Sequence, residues 1–200
     1  MDLISNLALA GGLSWASGLR LYLTVFVTGM LAKFGYISLP DSLAILSNPV
    51  VLSVAGALTV VEFLADKIPY VDSMWDSIQT FARIPAGALL AVGAMDASDP
   101  VTATLIALLG GTLAGATHAT KAGSRAMINT SPEPFSNIAA SFGEESLLLA
   151  GLWLAYSQPI LFVSLLIAFI ITMAWLLPKL WRGIKRVLGS IGKVVRPSAG

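Results

Sequence analysis

Ile160-Leu161-Phe162-Val163-Ser164-Leu165-Leu166-Ile167-Ala168-Phe169-Ile170-Ile171-Thr172-Met173-Ala174-Trp175-Leu176-Leu177 carries no charge, and its only hydroxyls are Ser164 and Thr172. As a helix rising about 1.5 Å per residue, such a run spans most of a hydrocarbon core about 30 Å thick. It is the cleanest spanning segment of the chain, and it sets the solvent in which the rest is read. Outward from it lie Leu19–Ile37, Val50–Leu64 and the Gly- and Ala-rich Val101–Thr117, all apolar and long. Leu3–Gly12, Ile84–Ala94 and Leu147–Tyr156 are apolar but too short to cross alone. They read as half-helices, re-entrant segments or helices extended by polar turns. Such backbone is tolerated in lipid only where protein or a water-filled cavity covers it. Charged residues make up 12% of the chain, against about 25% in a soluble domain. The expected fold is an all-α, polytopic transmembrane bundle of about six crossings.

Two segments show apolar residues at helical spacing. Tyr70–Ala82 carries Val71, Met74, Trp75, Ile78 and Phe81; Leu180–Val195 carries Leu180, Trp181, Ile184, Val187, Leu188 and Ile191. Each reads as an interfacial amphipathic helix or as a helix covering one end of the bundle. The halves 1–83 and 84–200 of this single membrane domain resemble each other weakly. Ser17-Gly18-Leu19-Arg20 matches Ala122-Gly123-Ser124-Arg125, Ser47-Asn48-Pro49 matches Ser157-Gln158-Pro159, and Ile68-Pro69 matches Leu177-Pro178. Weak internal symmetry of this kind is common in transporter folds. The first interfacial segment carries Asp72 and Asp76, whereas its counterpart is flanked by Lys179, Arg182, Lys185, Arg186, Lys193 and Arg196. Basic flanks stay in the cytoplasm. The C-terminus is therefore expected on the cytoplasmic side of a cell (inner) membrane, touching anionic lipid, with the two halves inverted.

The residues that could carry chemistry are few. Arg20 and Arg125 each follow a glycine by two positions, where a helix would restart after a break. A charge at mid-bilayer costs at least about 2.5–3.5 kcal/mol, so both ask for a partner or a function. Two arginines and two helix N-termini near a common axis would attract an anion; the plainer reading is that each arginine pairs with a carboxylate and locks helices together. Glu62 and Asp66 share one helix face and are read either as partners of Arg20 or Lys67 or as acceptors of a proton or cation. His118, Lys121 and Arg125 line another face, with His118 and Lys121 as candidates for ion or proton coupling. Asn129-Thr130-Ser131-Pro132-Glu133-Pro134-Phe135-Ser136-Asn137 is the densest polar stretch, broken by two prolines. Asn129, Thr130, Ser131, Glu133, Ser136 and Asn137 join the arginines as the expected substrate-binding set, on a re-entrant loop, a gate or a solvated external loop. Gly111-xxx-Gly115 points to close helix packing.

Cysteine is absent, which excludes disulfides, thiolate metal sites and a cysteine nucleophile. A lone histidine without a second strong ligand does not make a metal site. No phosphate-binding glycine loop, nucleophile elbow or His-Glu-x-x-His is present, so neither an enzyme nor a cofactor is expected. Met1–Asn6 has no basic residue, and no cleaved signal peptide is read there.

Trp15-Ala16-Ser17-Gly18-Leu19-Arg20-Leu21-Tyr22, Leu64-Ala65-Asp66-Lys67-Ile68-Pro69-Tyr70-Val71-Asp72-Ser73 and Asn129–Asn137 are similar to the signature stretches of the domain-of-unknown-function 4126 membrane family. The resemblance covers nearly the whole chain. It implies a small multi-pass membrane protein, mostly bacterial, supplies no activity, and groups the three segments as one site or one structural core. The expected function is a transporter or channel for a small solute, an anion or a lipid phosphate, through a site at the repeat interface. The alternative is a non-transporting scaffold or accessory subunit whose charges are structural ion pairs. Expected partners are the bilayer and a small solute or ion, not nucleic acid, with homo-oligomerisation left open.

Overall fold

A computed structural model describes residues 2–68, 71–128 and 134–175, and no strand occurs among them. The helices are α1 (Leu3–Leu19), α2 (Leu21–Lys33), a 3-10 helix (Asp41–Ser47), α3 (Pro49–Ala65), α4 (Val71–Met95), α5 (Pro100–Ile128), α6 (Pro134–Ser157) and α7 (Pro159–Trp175). Proline opens α3, α5, α6 and α7, where its missing N–H is no loss. Side chains cap the starts. Asn48 Oδ1 accepts from Val50 N at 2.8 Å, and Asp99 Oδ2 accepts from Thr102 N at 2.8 Å. The chain forms two compact units, residues 1–163 and 164–200. In the second, the described residues up to Trp175 are helical; all packing described below lies within the first.

Among the described residues, three helical stretches are long and apolar enough to cross a membrane: Met74–Met95, Pro100–Ile128 and Phe135–Ser157. The 3-10 helix and α3, bent by 63° at Asn48, make a fourth if they act as one span. The remaining helices are shorter. Three of the expected apolar stretches prove to be parts of longer helices, because polar turns extend them: Leu3–Gly12 runs on into α1, Ile84–Ala94 is the second half of α4, and Leu147–Tyr156 is the second half of α6. Leu19–Ile37 is not one helix. Arg20 sits between α1 and α2 with extended backbone, φ −148° and ψ 98°.

Contacts fix the helix directions. Along α1, Gly12 faces Ala155, Trp15 faces Gly151, and Arg20 reaches Ser141, so α1 and α6 are antiparallel. Along α2, Arg20 at its start reaches Ser141 and Thr28 meets Tyr156, so α2 and α6 are parallel. The chain thus turns back on itself at Arg20. Ser14 and Gly18 of α1 meet Gly110 and Ala114 of α5 in the same order. These two matched helices run parallel, with Arg20 and Arg125 at the same end, an arrangement that inverted halves would not give. Helix α4 runs unbroken through residue 83, where the two halves were expected to meet.

Small residues allow this packing. Ser14 Oγ donates to Gly87 O at 2.9 Å, across the α1–α4 contact. A Cβ on Gly110 would lie 2.5 Å from Ala91 Cβ and 2.9 Å from Gly87 O. The close crossing is therefore Ser14-xxx-Gly18 on α1, Gly87-xxx-Ala91 on α4 and Gly110-xxx-Ala114 on α5. The expected Gly111-xxx-Gly115 pair lies beside it, with Cβ positions no closer than 3.4 Å to their nearest neighbours.

The radial arrangement of polarity is that of a protein in lipid. Phe81 is 85% exposed and Leu109 72%, whereas Arg20, Arg83 and Arg125 are among the largest fully buried side chains. Tyr70–Ala82 is accordingly not a separate surface helix. From Val71 it is the first half of α4, with Asp76 and Gln79 turned inward and Met74, Ile78 and Phe81 outward. Leu180–Val195 lies outside the described residues.

Candidate functional site

The buried charges meet in one network at the end of the bundle where α1, α3 and α5 finish and α2, α4 and α6 begin. Four helices contribute polar residues at helical spacing. Glu62 and Asp66 stand one turn apart on α3; Asp76, Thr80 and Arg83 lie along α4; His118, Lys121 and Arg125 along α5; Asn137, Ser141, Glu144 and Glu145 along α6. Arg20 enters from the α1–α2 break, where the lost helical register frees its guanidinium to reach both α3 and α6.

Asp66 is the centre. Its Oδ2 lies 2.8 Å from Arg20 Nη2, 3.0 Å from Lys121 Nζ and 3.9 Å from Arg125 Nη2, with all four side chains essentially solvent-free. Arg125 makes a two-pronged pair with Glu144, Nε to Oε1 and Nη2 to Oε2, each at 2.9 Å. Its remaining Nη1 donates to Asp66 O at 3.1 Å and to Asn137 O at 3.0 Å. Such fork geometry is what arginine offers a carboxylate and lysine does not. Arg20 also lies 3.3 Å from Glu145 Oε1 and donates to Ser141 Oγ at 2.8 Å.

A second cluster adjoins the first. Arg83 pairs with Glu62 at 2.5 Å and with Asp76 at 3.0 Å, and donates to His118 Nδ1 at 2.8 Å. Because a guanidinium only donates, Nδ1 must be the accepting nitrogen. The ring proton then sits on Nε2, which donates to Thr80 Oγ1 at 2.7 Å; that hydroxyl donates onward to Asp76 O at 3.1 Å. His118 is held neutral in one tautomer. Lys121 joins the clusters, with Nζ 3.0 Å from Asp66, 3.2 Å from Asp76 and 3.8 Å from Glu144. Five cations (Arg20, Lys67, Arg83, Lys121, Arg125) thus face five carboxylates (Glu62, Asp66, Asp76, Glu144, Glu145).

The structure brings together Arg20, Arg125, Glu62, Asp66, His118, Lys121 and Asn137 of the expected site. Ser136 lies on α6, whereas Asn129, Thr130, Ser131 and Glu133 fall outside the described residues. Glu62 takes Arg83 as its partner, and Arg20 takes Asp66. Sequence reasoning missed Asp76, Arg83, Ser141, Glu144 and Glu145. Their signal was the spacing: Asn137, Ser141 and Glu144/Glu145 repeat the three-and-four spacing of His118, Lys121 and Arg125 on an otherwise apolar helix. No group of three or more His, Cys, Asp or Glu among the described residues is arranged to hold a metal ion.

A family model described as a domain of unknown function, DUF4126, matches residues 7–179. The chain belongs to this family. The match contains every member of the network, from Arg20 to Glu145. No curated protein and no solved structure matches the chain. Apolar helices with a charged interior make this DUF4126 member a membrane protein.

Proposed function

We propose that this DUF4126 protein is a membrane transporter or channel in which the charge network handles the moving proton or ion. One observation carries the reading: the network keeps proton-accepting oxygen in reserve. Glu62 Oε2 and Asp66 Oδ1 are buried with no hydrogen-bond partner among the described residues, while the other oxygen of each holds the ion pairs. A network that only locked helices together would gain little from ten charges, since apolar packing of similar volume stabilises as well or better. Ionisable groups inside a membrane bundle mark proton and ion paths. Lys121 is the cation that joins both clusters and, unlike arginine, can release a proton. A proton passed from Lys121 Nζ to a carboxylate of Asp66 or Asp76 leaves two neutral groups and no stranded charge.

This reading replaces a standing anion site. Arg20 and Arg125 already share Asp66 and Glu144, so an incoming anion would have to displace a carboxylate. We place the protein in the cell membrane with its basic segment after Leu177 on the cytoplasmic side, by the distribution of lysine and arginine. We read α1 and α2 as a re-entrant hairpin turning at Arg20, because helices of 17 and 13 residues reach only about 25 and 20 Å.

The test is proton flux. The purified protein is reconstituted in liposomes containing a pH dye, and a potassium diffusion potential is imposed. We expect internal acidification above that of empty liposomes, lost in Lys121→Arg, which keeps the charge but not the labile proton. Absence of flux in the parent protein would refute the reading. The scaffold alternative would then stand, on the observation that each of the five cations has a carboxylate within 4 Å.

A further inference from the structure

Lys67 stands apart from the other cations of the network. Its nearest carboxylate oxygen, on Glu145, is 3.9 Å away. Its closest neighbours are of another kind. Nζ lies 2.9 Å from the centroid of the Phe63 ring and 4.8 Å from that of Phe142. The two rings meet edge to face at 79° with centroids 6.0 Å apart, forming two walls of a box. Nζ also donates to Ser141 Oγ at 3.2 Å and to Phe63 O at 3.4 Å. Two aromatic faces, one carboxylate, one hydroxyl and one carbonyl around an ammonium constitute a recognition site for an organic cation. A hydrated metal ion is poorly served there, because hard cations ask for six or more oxygens.

A cavity of about 210 Å³ adjoins this box and shares Phe63 and Glu145 with it. Its other walls include Leu23, Val60 and Leu149, and Arg20 lines it as well. The box therefore has what a ligand-binding ammonium site needs beyond the ammonium itself: an apolar space beside it for a carbon chain.

We propose that the box between Phe63, Phe142 and Glu145 is a binding site for an alkylammonium group, and that Lys67 is its tethered occupant. An incoming ammonium takes the place of Lys67 Nζ, its alkyl part enters the neighbouring cavity, and the lysine swings out to solvent, toward which it is already 20% exposed. The bound group touches Glu145 and, through it, Arg20, so occupancy is felt at the rim of the charge network. The site does not depend on the network conducting anything, and its test contains no flux.

The experiment is chemical rescue in detergent. Lys67→Ala removes three methylenes and the ammonium, which n-propylammonium restores. We expect Lys67→Ala to melt below the parent protein, and millimolar n-propylammonium to raise its melting temperature saturably by several degrees. Neutral n-propanol should do nothing, and Lys67→Ala combined with Glu145→Gln should lose most of the rescue. No saturable shift up to 100 mM, or an equal shift with Glu145→Gln, overturns the proposal. The parent protein gives a second reading that needs no variant. Tetramethylammonium, which cannot react with acylating reagents, should displace Lys67 and raise its acetylation by severalfold, read by mass spectrometry. Unchanged labelling at saturating tetramethylammonium also overturns it. The ammonium has two sources, a free amine or the ethanolamine headgroup of a lipid. Nanodiscs with and without phosphatidylethanolamine separate them: the headgroup stabilises Lys67→Ala only where that lipid is present, whereas a free-amine site responds to n-propylammonium equally in both.

Discussion

Asp66→Asn keeps the shape of the central side chain and removes its charge. Three cations then converge within 4 Å on an amide, Arg20 from 2.8 Å, Lys121 from 3.0 Å and Arg125 from 3.9 Å. Breaking a buried ion pair by deleting one partner costs about 3–5 kcal/mol, because the other charge stays buried and uncompensated. Here each cation retains a second carboxylate: Arg20 has Glu145 at 3.3 Å, Lys121 has Asp76 at 3.2 Å, and Arg125 has both oxygens of Glu144 at 2.9 Å. The loss therefore belongs at the lower end, about 3 kcal/mol, or somewhat more than a hundredfold in the unfolding equilibrium. The excess positive charge makes a sharper statement. Lys121→Met in the Asp66→Asn background restores neutrality, so the double variant should be more stable than the sum of the single losses by at least about 1.5 kcal/mol. The assay is reversible unfolding in mixed micelles, with all four proteins run as a cycle. A loss below about 1 kcal/mol for Asp66→Asn, or additive losses in the cycle, would mean that the network is screened by water and that the buried-pair reasoning is wrong.

Other expectations follow from the packing and the caps. Gly110→Ala puts a methyl into Ala91 and the Gly87 carbonyl and should cost about 1–3 kcal/mol in micelle unfolding, whereas Gly115→Ala should be neutral or gain up to about 1 kcal/mol of helix propensity. Gly18→Val, which drives two branches at the Ala114 carbonyl and Thr117, should yield no folded monodisperse protein on size exclusion. The Thr102 backbone N–H holds the Asp99 carboxyl below the usual carboxylate range. Its cap is thus fully present above the unfolded value near 3.9 and lost as pH falls through the lower folded one. The gap in melting temperature between the parent and Asp99→Ala should stay constant from pH 7 to 5 and close below about pH 4.

What the sequence disclosed and what it hid divide along one physical line. Charges inside plainly apolar runs were conspicuous, so Arg20, Glu62, Asp66, His118, Lys121 and Arg125 were all identified, and all six belong to the network. Asp76 sat in a segment with a strong amphipathic pattern. In water the polar face of such a helix points outward, and the pattern reads equally as a membrane-surface helix or as one covering an end of the bundle; in the folded bundle the same face points in. Glu144 and Glu145 stand just outside the short apolar stretch Leu147–Tyr156, whose bounds do not reveal that the helix begins ten residues before Glu144, at Pro134. The break at Arg20 was only half legible: Gly18 marks a helix restart two residues on, but the same spacing before Arg125 gives no break, since α5 runs on to Ile128, and Leu19–Ile37 also reads as one apolar run. The break is a tertiary effect: Gly18 is pressed against the α5 backbone, and the arginine is drawn to Asp66. The one-residue shift of the close crossing from Gly111 to Gly110 has the same origin, because spacing reveals that small residues recur but not which of two adjacent stripes faces the neighbour.

The order of the charges along the chain bears on how the protein is made. By the time α5 has left the ribosome, the five cations of the network are present with only three of its carboxylates, Glu62, Asp66 and Asp76. Glu144 and Glu145 arrive with α6. Up to the end of α5 the network residues thus count two cations more than carboxylates. The charge balance of the interior is therefore completed only by the last helix to contribute to it.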